Sequence, residues 1–180
     1  MLELKVKGGE YYNEATNEFI EIPSCVLKLE HSLAALSAWE SKWNKPFISD
    51  KPKTIEETID YIKCMSLNLV DAHPLLFSLL TQSDLNAIYD YMDSKQTATW
   101  FSERERSTPN RDVITAEIIY YWMVSFHIPF ECQYWHLNKL LTLIRVCDIK
   151  NKPPKKMSKQ EAARQRMALN NKRLKKGRHR

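Results

Sequence analysis

The most apolar stretch of the chain, residues 113–147, is interrupted by a single proline, Pro129. Proline has no backbone N–H and disfavours helical geometry at the residue before it. The first of two helices should therefore end near His127, and the pattern predicts two antiparallel helices joined at residues 127–130. Their apolar stripes are broader than a coiled-coil seam, which is typical of helices buried on more than one side of a small domain.

Helical spacing indicates which face of each of these two helices should be buried. The predicted face of the first comprises Ile114, Ile118, Tyr121 and Met123 or Val124. The predicted face of the second comprises Leu137, Leu140, Leu141, Ile144 and Val146 or Cys147. We expect Trp122, Leu140 and Ile144 to be core residues.

The first thirty residues have strand patterns. Residues 2–6 alternate apolar and charged side chains, and residues 18–22 and 25–30 predict a second strand interrupted at Pro23. Glycines and asparagines between residues 8 and 17 favour a hairpin connection. Because a lone hairpin is marginally stable, its apolar side should rest on helices.

From Ser32 onward the spacing becomes helical. The first helix has Leu33, Leu36, Trp39 or Glu40, and Trp43 on one face, and it should end before Lys45-Pro46. Thr54 and Glu57 have the spacing of a capping box, and the next predicted buried stripe comprises Ile55, Ile59, Ile62 and Met65 or Cys64. A short helix is expected after Pro74. Ser83 or Asp84 should cap another helix, whose predicted inward residues are Leu85, Ile88, Tyr89 and Met92.

Charge divides the chain into two parts. Residues 150–180 hold 13 Lys/Arg and one acid, a net charge of +12, whereas residues 1–149 carry −7. Three glycines and a 43% hydrophobic fraction favour helix over sheet. The predicted fold is α+β, mainly α, with an N-terminal β-hairpin packed on a bundle of about five helices. Residues 1–149 form the acidic domain and residues 150–180 a basic C-terminal arm.

Partner contacts are expected in two polar segments. Residues 94–112 form a long exposed connection, in which Trp100 and Phe101 either pin the loop to the body, which we favour, or offer a contact surface. In the arm, Ser158 and Glu161 predict a capping box for a partly helical or disordered segment that Gly177 can close. The candidate partner-binding residues are Trp100, Phe101, Lys155, Lys156, Lys159, Arg164, Arg166, Lys172, Arg173, Lys175 and Lys176.

The kind of partner stays open at this level. Lys/Arg on an extended arm can bind nucleic acid with steep salt dependence, or an acidic protein surface, including the body of another copy. Residues 150–180 contain no aromatic residue for base stacking, so a protein partner is favoured. A solubilising tail is the plain alternative.

No catalytic, cofactor or metal site is predicted. Cys132 and His136 share a spacing of four, with His127 nearby, but further ligands would have to come from Cys147 or Cys64 without helpful spacing. Glu117, Glu131 and His136 match no catalytic motif. The four cysteines are expected to be buried free thiols. Without a signal sequence or an apolar run of membrane-spanning length, the chain is expected in the cytoplasm.

Four segments of the sequence resemble a family of small proteins encoded in the structural modules of tailed bacteriophages, the tail assembly chaperones. They are residues 31–48, 55–65, 114–147 and 151–176. The most specific parts are SKWNKPF, IPFECQYWHLN and PPKKMSK.

The resemblance implies a non-enzymatic protein in the host cytoplasm during phage assembly. Such a protein would bind the tape-measure protein, keep its apolar helices soluble and help recruit tail-tube subunits. The alternative is a minor structural protein of the virion head or tail, whose arm contacts neighbouring subunits or nucleic acid. The resemblance carries over no catalytic residue.

Overall fold

The computed structural model describes residues 1–13, 17–49, 51–101, 113–152, 163–164 and 166–170. The fold is α+β and mainly α, with an N-terminal hairpin region, as the sequence predicted. The chain divides into two units, Met1–Asp148 and Ile149–Arg180. Among the described residues, we find no helix with the length and apolar character needed to cross a membrane.

The hairpin region is longer than predicted. Strand β1 (Leu2–Val6) pairs antiparallel with β4 (Cys25–Leu29), and β2 (Gly9–Asn13) pairs antiparallel with β3 (Glu18–Ile22). The predicted connection from residue 8 to residue 17 therefore contributes strand β2, which is a correction. Because tyrosines favour strands, residues 9–13 form a second strand pair with residues 18–22.

The two strand pairs are separated where Gly8 lies against Pro23. A Cβ on Gly8 would overlap the carbonyl oxygen of Ile22, so only glycine fits this close approach. The β1–β4 pair buries alternate residues on one side, as predicted for a hairpin resting on helices. These residues are Leu4, Val6, Leu27 and Leu29.

Helix α1 (Leu33–Trp43) lies at the centre of the body and packs against α2, α4 and a later 3₁₀ helix. Ser32 caps its start by accepting a hydrogen bond from the backbone N–H of Ala35, and Asn44 ends it in the left-handed conformation. Both ends agree with the prediction. Its buried face comprises Leu33, Ala35, Leu36, Trp39 and Glu40.

Helix α2 (Ile55–Met65) begins with the predicted capping box between Thr54 and Glu57. The predicted buried stripe is partly wrong, because Ile55 is 82% exposed. The helix buries Ile62 and Met65, as predicted, together with Glu57 and Tyr61. Ile55 is the first residue of the helix and lies beyond the elements that cover its later turns.

Short 3₁₀ helices at Leu69–Asp71 and Pro74–Leu79 lead into α3 (Gln82–Asp93), and the second of them confirms the helix expected after Pro74. The predicted cap of α3 is wrong by two or three residues. Thr81 is the N-cap, and Asp84 completes a capping box with it. Ile88 is buried as predicted, whereas Tyr89 is exposed.

The stretch around Pro129 forms two α-helices, as predicted. Helix α4 (Ala116–Ser125) is followed by a 3₁₀ helix (Phe130–Tyr134) and then by α5 (Leu137–Asn151). Helix α5 buries Leu137, Leu140 and Ile144, which confirms part of its predicted face. Helix α4 buries Ala116 and Ile119, which were not predicted, and Met123. Of its predicted face only Met123 is buried, and Trp122 is half-buried.

In the second unit, residues 163–164 and 166–170 are helical and exposed. The predicted Ser158–Glu161 capping box, the prolines at 153–154 and Gly177 lie outside the described residues. Residues 102–112 of the long polar connection lie outside them as well.

Candidate partner-binding surface

Helix α4 and the 3₁₀ helix that follows it both expose large apolar side chains. Helix α4 contributes Tyr121 (68% exposed) and Val124 (57%), and the following 3₁₀ helix contributes Phe130 (54%) and Tyr134 (63%). The half-buried Tyr120 joins the two elements, since its ring centroid lies 6.3 Å from that of Phe130. We call these five residues the aromatic surface. Grouped exposed aromatic residues are typical of sites where proteins bind one another.

The turn between α4 and the 3₁₀ helix brings the two halves of the aromatic surface together. His127 adopts φ 54°, which ends α4, and the N–H of Ile128 bonds to the carbonyl of Met123 at 2.8 Å. Tyr120 then donates a hydrogen bond from its hydroxyl to Gln133 Oε1 at 2.8 Å. The side chains on both elements are thereby held in a defined arrangement.

A buried carboxylate fixes the start of α4 against α1. Glu40 is only 7% exposed and accepts two backbone hydrogen bonds of 2.7 Å, one from Phe47 and one from Ala116. Ala116 is the first residue of α4, where N–H groups have no partner within the helix. Glu40 therefore sets the position from which α4 presents its exposed face.

Two glutamates lie on the elements that form the aromatic surface. Glu117 is exposed in the first turn of α4, and Glu131 is exposed on the 3₁₀ helix. Backbone N–H at the helix start and the hydroxyl of Thr115 lower the pKa of Glu117. Glu117 is therefore a carboxylate at neutral pH, and the surface suits a partner with apolar groups flanked by cations.

Trp100 and Phe101 occupy different environments. Trp100 is 77% exposed, with the Lys95 ammonium 3.7 Å from its ring centroid, so it does not pin the connection to the core as favoured above. Phe101 is half-buried, and the Arg145 guanidinium of α5 lies 4.1 Å from its ring centroid. Phe101 therefore contacts the body, and Trp100 remains available to a partner.

The predicted basic residues of the arm are described only in part. Arg164 and Arg166 are exposed on the helical segment, beside exposed Met167 and Leu169. The other seven predicted residues of the arm lie outside the described residues: Lys155, Lys156, Lys159, Lys172, Arg173, Lys175 and Lys176.

A buried histidine–tyrosine cluster lies in the interior of the same unit. The Nδ1 atom of His31 lies 2.6 Å from the hydroxyl of Tyr61, and the His31 and His136 ring centroids are 5.3 Å apart. The hydroxyl of Tyr91 donates to Glu30 at 2.7 Å. Burial, together with the neighbouring His136, lowers the pKa of His31 to about 4, against a raising effect of Glu30. Both histidines are therefore neutral at pH 7. The cluster connects the residues just before α1 and α5 with Tyr61 of α2 and Tyr91 of α3.

The residues considered for metal binding do not converge within the described part of the chain, where no group of three or more His, Cys, Asp or Glu could hold a metal ion. His136 has its Nε2 atom 3.1 Å from the carbonyl oxygen of Tyr91 and is buried, whereas Glu117 and Glu131 are exposed. All four cysteines are free; Cys132 is buried and the other three are half-buried. Burial raises the pKa of the Cys64 thiol, which disfavours its thiolate.

Comparison of the chain with protein-family models, with curated proteins and with solved structures found no match.

The sequence pattern does not reveal the aromatic surface, since it predicts Tyr121 and either Met123 or Val124 on the buried face. Helix α4 is apolar around most of its circumference, so periodicity could not separate a buried face from an exposed one. One signal in the sequence could have indicated this surface. Three tyrosines and one phenylalanine flank Pro129 within fifteen residues: Tyr120, Tyr121, Phe130 and Tyr134.

Proposed function

We propose that this chain is a tail assembly chaperone of a tailed bacteriophage, a non-enzymatic protein that binds the tape-measure protein and helps tail-tube subunits to assemble. The observation that carries the proposal is the aromatic surface. All five of its residues lie in the segment 114–147 that resembles the family, and Phe130 and Tyr134 belong to its most specific part. No step of this function requires a catalytic group.

The mechanism follows from the chemistry of that surface. A tape-measure protein has long apolar helix faces that need cover until tube subunits surround them. Tyrosine and phenylalanine side chains bury a large area and lose few rotatable bonds, so a small aromatic surface can hold such a helix. Because the contact is small, tube subunits can displace it as the tail grows.

The basic arm has a second role in this proposal. Its charge of +12 attracts acidic segments over a distance and raises the rate of encounter, while the aromatic surface supplies the short-range contact. In the host cytoplasm, where assembly takes place, the two segments would act on one partner.

The decisive experiment is capture of the tape-measure protein during co-expression. We expect the wild-type chain to keep the tape-measure protein soluble and to co-purify with it, and the double variant Y121S/F130S to lose both properties. Phe19→Ser is the matched control, since Phe19 is 71% exposed on β3, in the hairpin region. Equal capture by Y121S/F130S and wild type would refute the aromatic surface as the binding site, and no capture by the wild type would refute the chaperone.

A second candidate function is that of a minor structural protein of the virion. The exposed helical segment of the arm favours it, because Arg164 and Arg166 beside Met167 and Leu169 could bind a neighbouring subunit or nucleic acid. Quantitative mass spectrometry of purified virions and infected-cell lysate separates the two. A chaperone is abundant in the lysate and absent from virions, whereas a structural protein has a fixed copy number in virions.

A further inference from the structure

A cleft of about 310 Å³ lies between α2 and α3 and is bordered by the loop that joins α1 to α2. We call it the α2–α3 cleft. Its volume falls at the lower end of the range found for small-molecule sites in proteins. Most of its wall is apolar and comes from Phe47, Tyr61, Ile62, Leu85, Ile88 and Met92. It does not include any residue of the aromatic surface.

Two lysines of the loop border the cleft, Lys51 and Lys53. Lys51 is exposed, whereas Lys53 is half-buried, with its ammonium 4.3 Å from the ring centroid of Phe47. Burial lowers the pKa of Lys53, against a raising effect of Glu57. An ammonium group at this position has lost part of its hydration and stands beside an apolar wall.

The carboxylate of Glu57, which raises the pKa of Lys53, already forms hydrogen bonds with other groups. Glu57 accepts a hydrogen bond from Lys45 through Oε1 and another from the backbone N–H of Thr54 through Oε2. Within the described residues, Lys53 forms no salt bridge, and no acidic residue lines the cleft. The cleft thus combines an apolar interior with a partly dehydrated cation that forms no salt bridge with any described residue.

We propose that the α2–α3 cleft binds a medium-chain carboxylate, with the alkyl chain between α2 and α3 and the carboxylate on the ammonium of Lys53. The alkyl chain gains the free energy of apolar burial, and the carboxylate replaces the hydration that Lys53 lacks. Lys51 adds a second, exposed positive charge. The site is separate from the function proposed above, so either can fail without the other.

Isothermal titration of the full-length chain with octanoate, octanol and octylammonium tests the proposal. All three share an alkyl chain and differ in the charge of the head group. We expect octanoate to bind about tenfold or more tightly than octanol, because a hydrogen bond between charged groups adds to apolar burial. Octylammonium should not bind. Equal affinity for octanoate and octanol, or no heat with octanoate, would overturn the proposal.

Variants then locate the bound ligand. Lys53→Met should reduce octanoate affinity to that of octanol and leave octanol unchanged, and Lys53→Arg should retain octanoate binding. Lys28→Met removes an exposed lysine of β4 as the matched control and should bind octanoate like wild type. Leu85→Phe should fill the cleft and abolish binding of both octanoate and octanol. Unchanged octanoate affinity in Lys53→Met or in Leu85→Phe would place the ligand elsewhere and refute the assignment.

Discussion

Helices α1 and α4 have almost the same length, eleven and ten residues, but different environments. Helix α1 has charged residues near its C-terminal end and buries five residues, among them Glu40. Helix α4 has Glu117 as its one charged residue, buries three and leaves Tyr121 and Val124 in solvent. Helix α1 is covered by α2, α4 and a 3₁₀ helix, so the neighbours of a helix decide its burial, and apolar composition alone does not place a helix in the core.

The comparison leads to four predictions, and truncation of Trp39 in α1 should have the largest effect. Trp39 is 1% exposed, and its Nε1–H donates to the carbonyl of Glu57 at 2.8 Å. Trp39→Ala should lower the free energy of unfolding by about 4 kcal/mol, since it removes a large buried ring. Urea unfolding measures the change. A loss below about 1 kcal/mol would mean that α1 is not the centre of the body.

Removal of the Glu40 side chain tests how α1 holds α4. Glu40→Ala leaves the buried N–H groups of Phe47 and Ala116 without acceptors, and we expect a loss of about 3 kcal/mol in the free energy of unfolding. Glu3→Ala, on the exposed side of β1, is the control and should change little. If both variants unfold at the same urea concentration, the carboxylate does not connect the two helices.

Acidification should lower the free energy of unfolding, because His31, which is buried just before α1, must bind a proton. Its pKa is about 4 in the folded chain against 6.5 unfolded, so protons bind the unfolded state more readily. The contribution of His31 to the free energy of unfolding is fully present above about pH 6.5 and is lost as the pH drops towards 4. The loss is about 1 kcal/mol at pH 5.5. The burial that lowers the pKa of His136 acts in the same direction.

Urea unfolding of His31→Gln at several pH values measures this contribution. The variant should be less stable at neutral pH, because it loses the contact with Tyr61, but its stability should fall less steeply with acid. His127→Asn, at an exposed position with φ 54°, should keep the wild-type slope. An unchanged slope in His31→Gln would show that other groups cause the acid sensitivity.

The smallest effect on stability is expected on the exposed face of α4. Tyr121→Ser should change the free energy of unfolding by less than about 0.5 kcal/mol, since the side chain is 68% exposed. If the variant keeps its stability but no longer captures the tape-measure protein, Tyr121 contributes to binding and not to folding. A loss of free energy of unfolding near that of Trp39→Ala would instead show that Tyr121 is a core residue, as the sequence pattern predicted.

Local rules account for the elements that the sequence predicted well. The helix end before Lys45, the Thr54–Glu57 capping box and the helix end near His127 all depend on groups within a few residues of one another. The alternation of residues 2–6 likewise predicted which side of β1 would be buried. Caps, breaks and strand alternation are short-range, so they are visible in one sequence.

The candidate site could be predicted only in part, because its face depends on distant contacts. Glu40 bonds Phe47 seven residues away and Ala116 seventy-six residues away, and no local pattern specifies the second bond. That bond and the packing of α1 determine which side of α4 meets solvent. Apolar composition and Pro129 are enough to predict that α4 exists and ends near His127. The exposure of Tyr121 and Val124 follows only from the packed fold, since a helix that is apolar all round has no preferred face until its neighbours are in place.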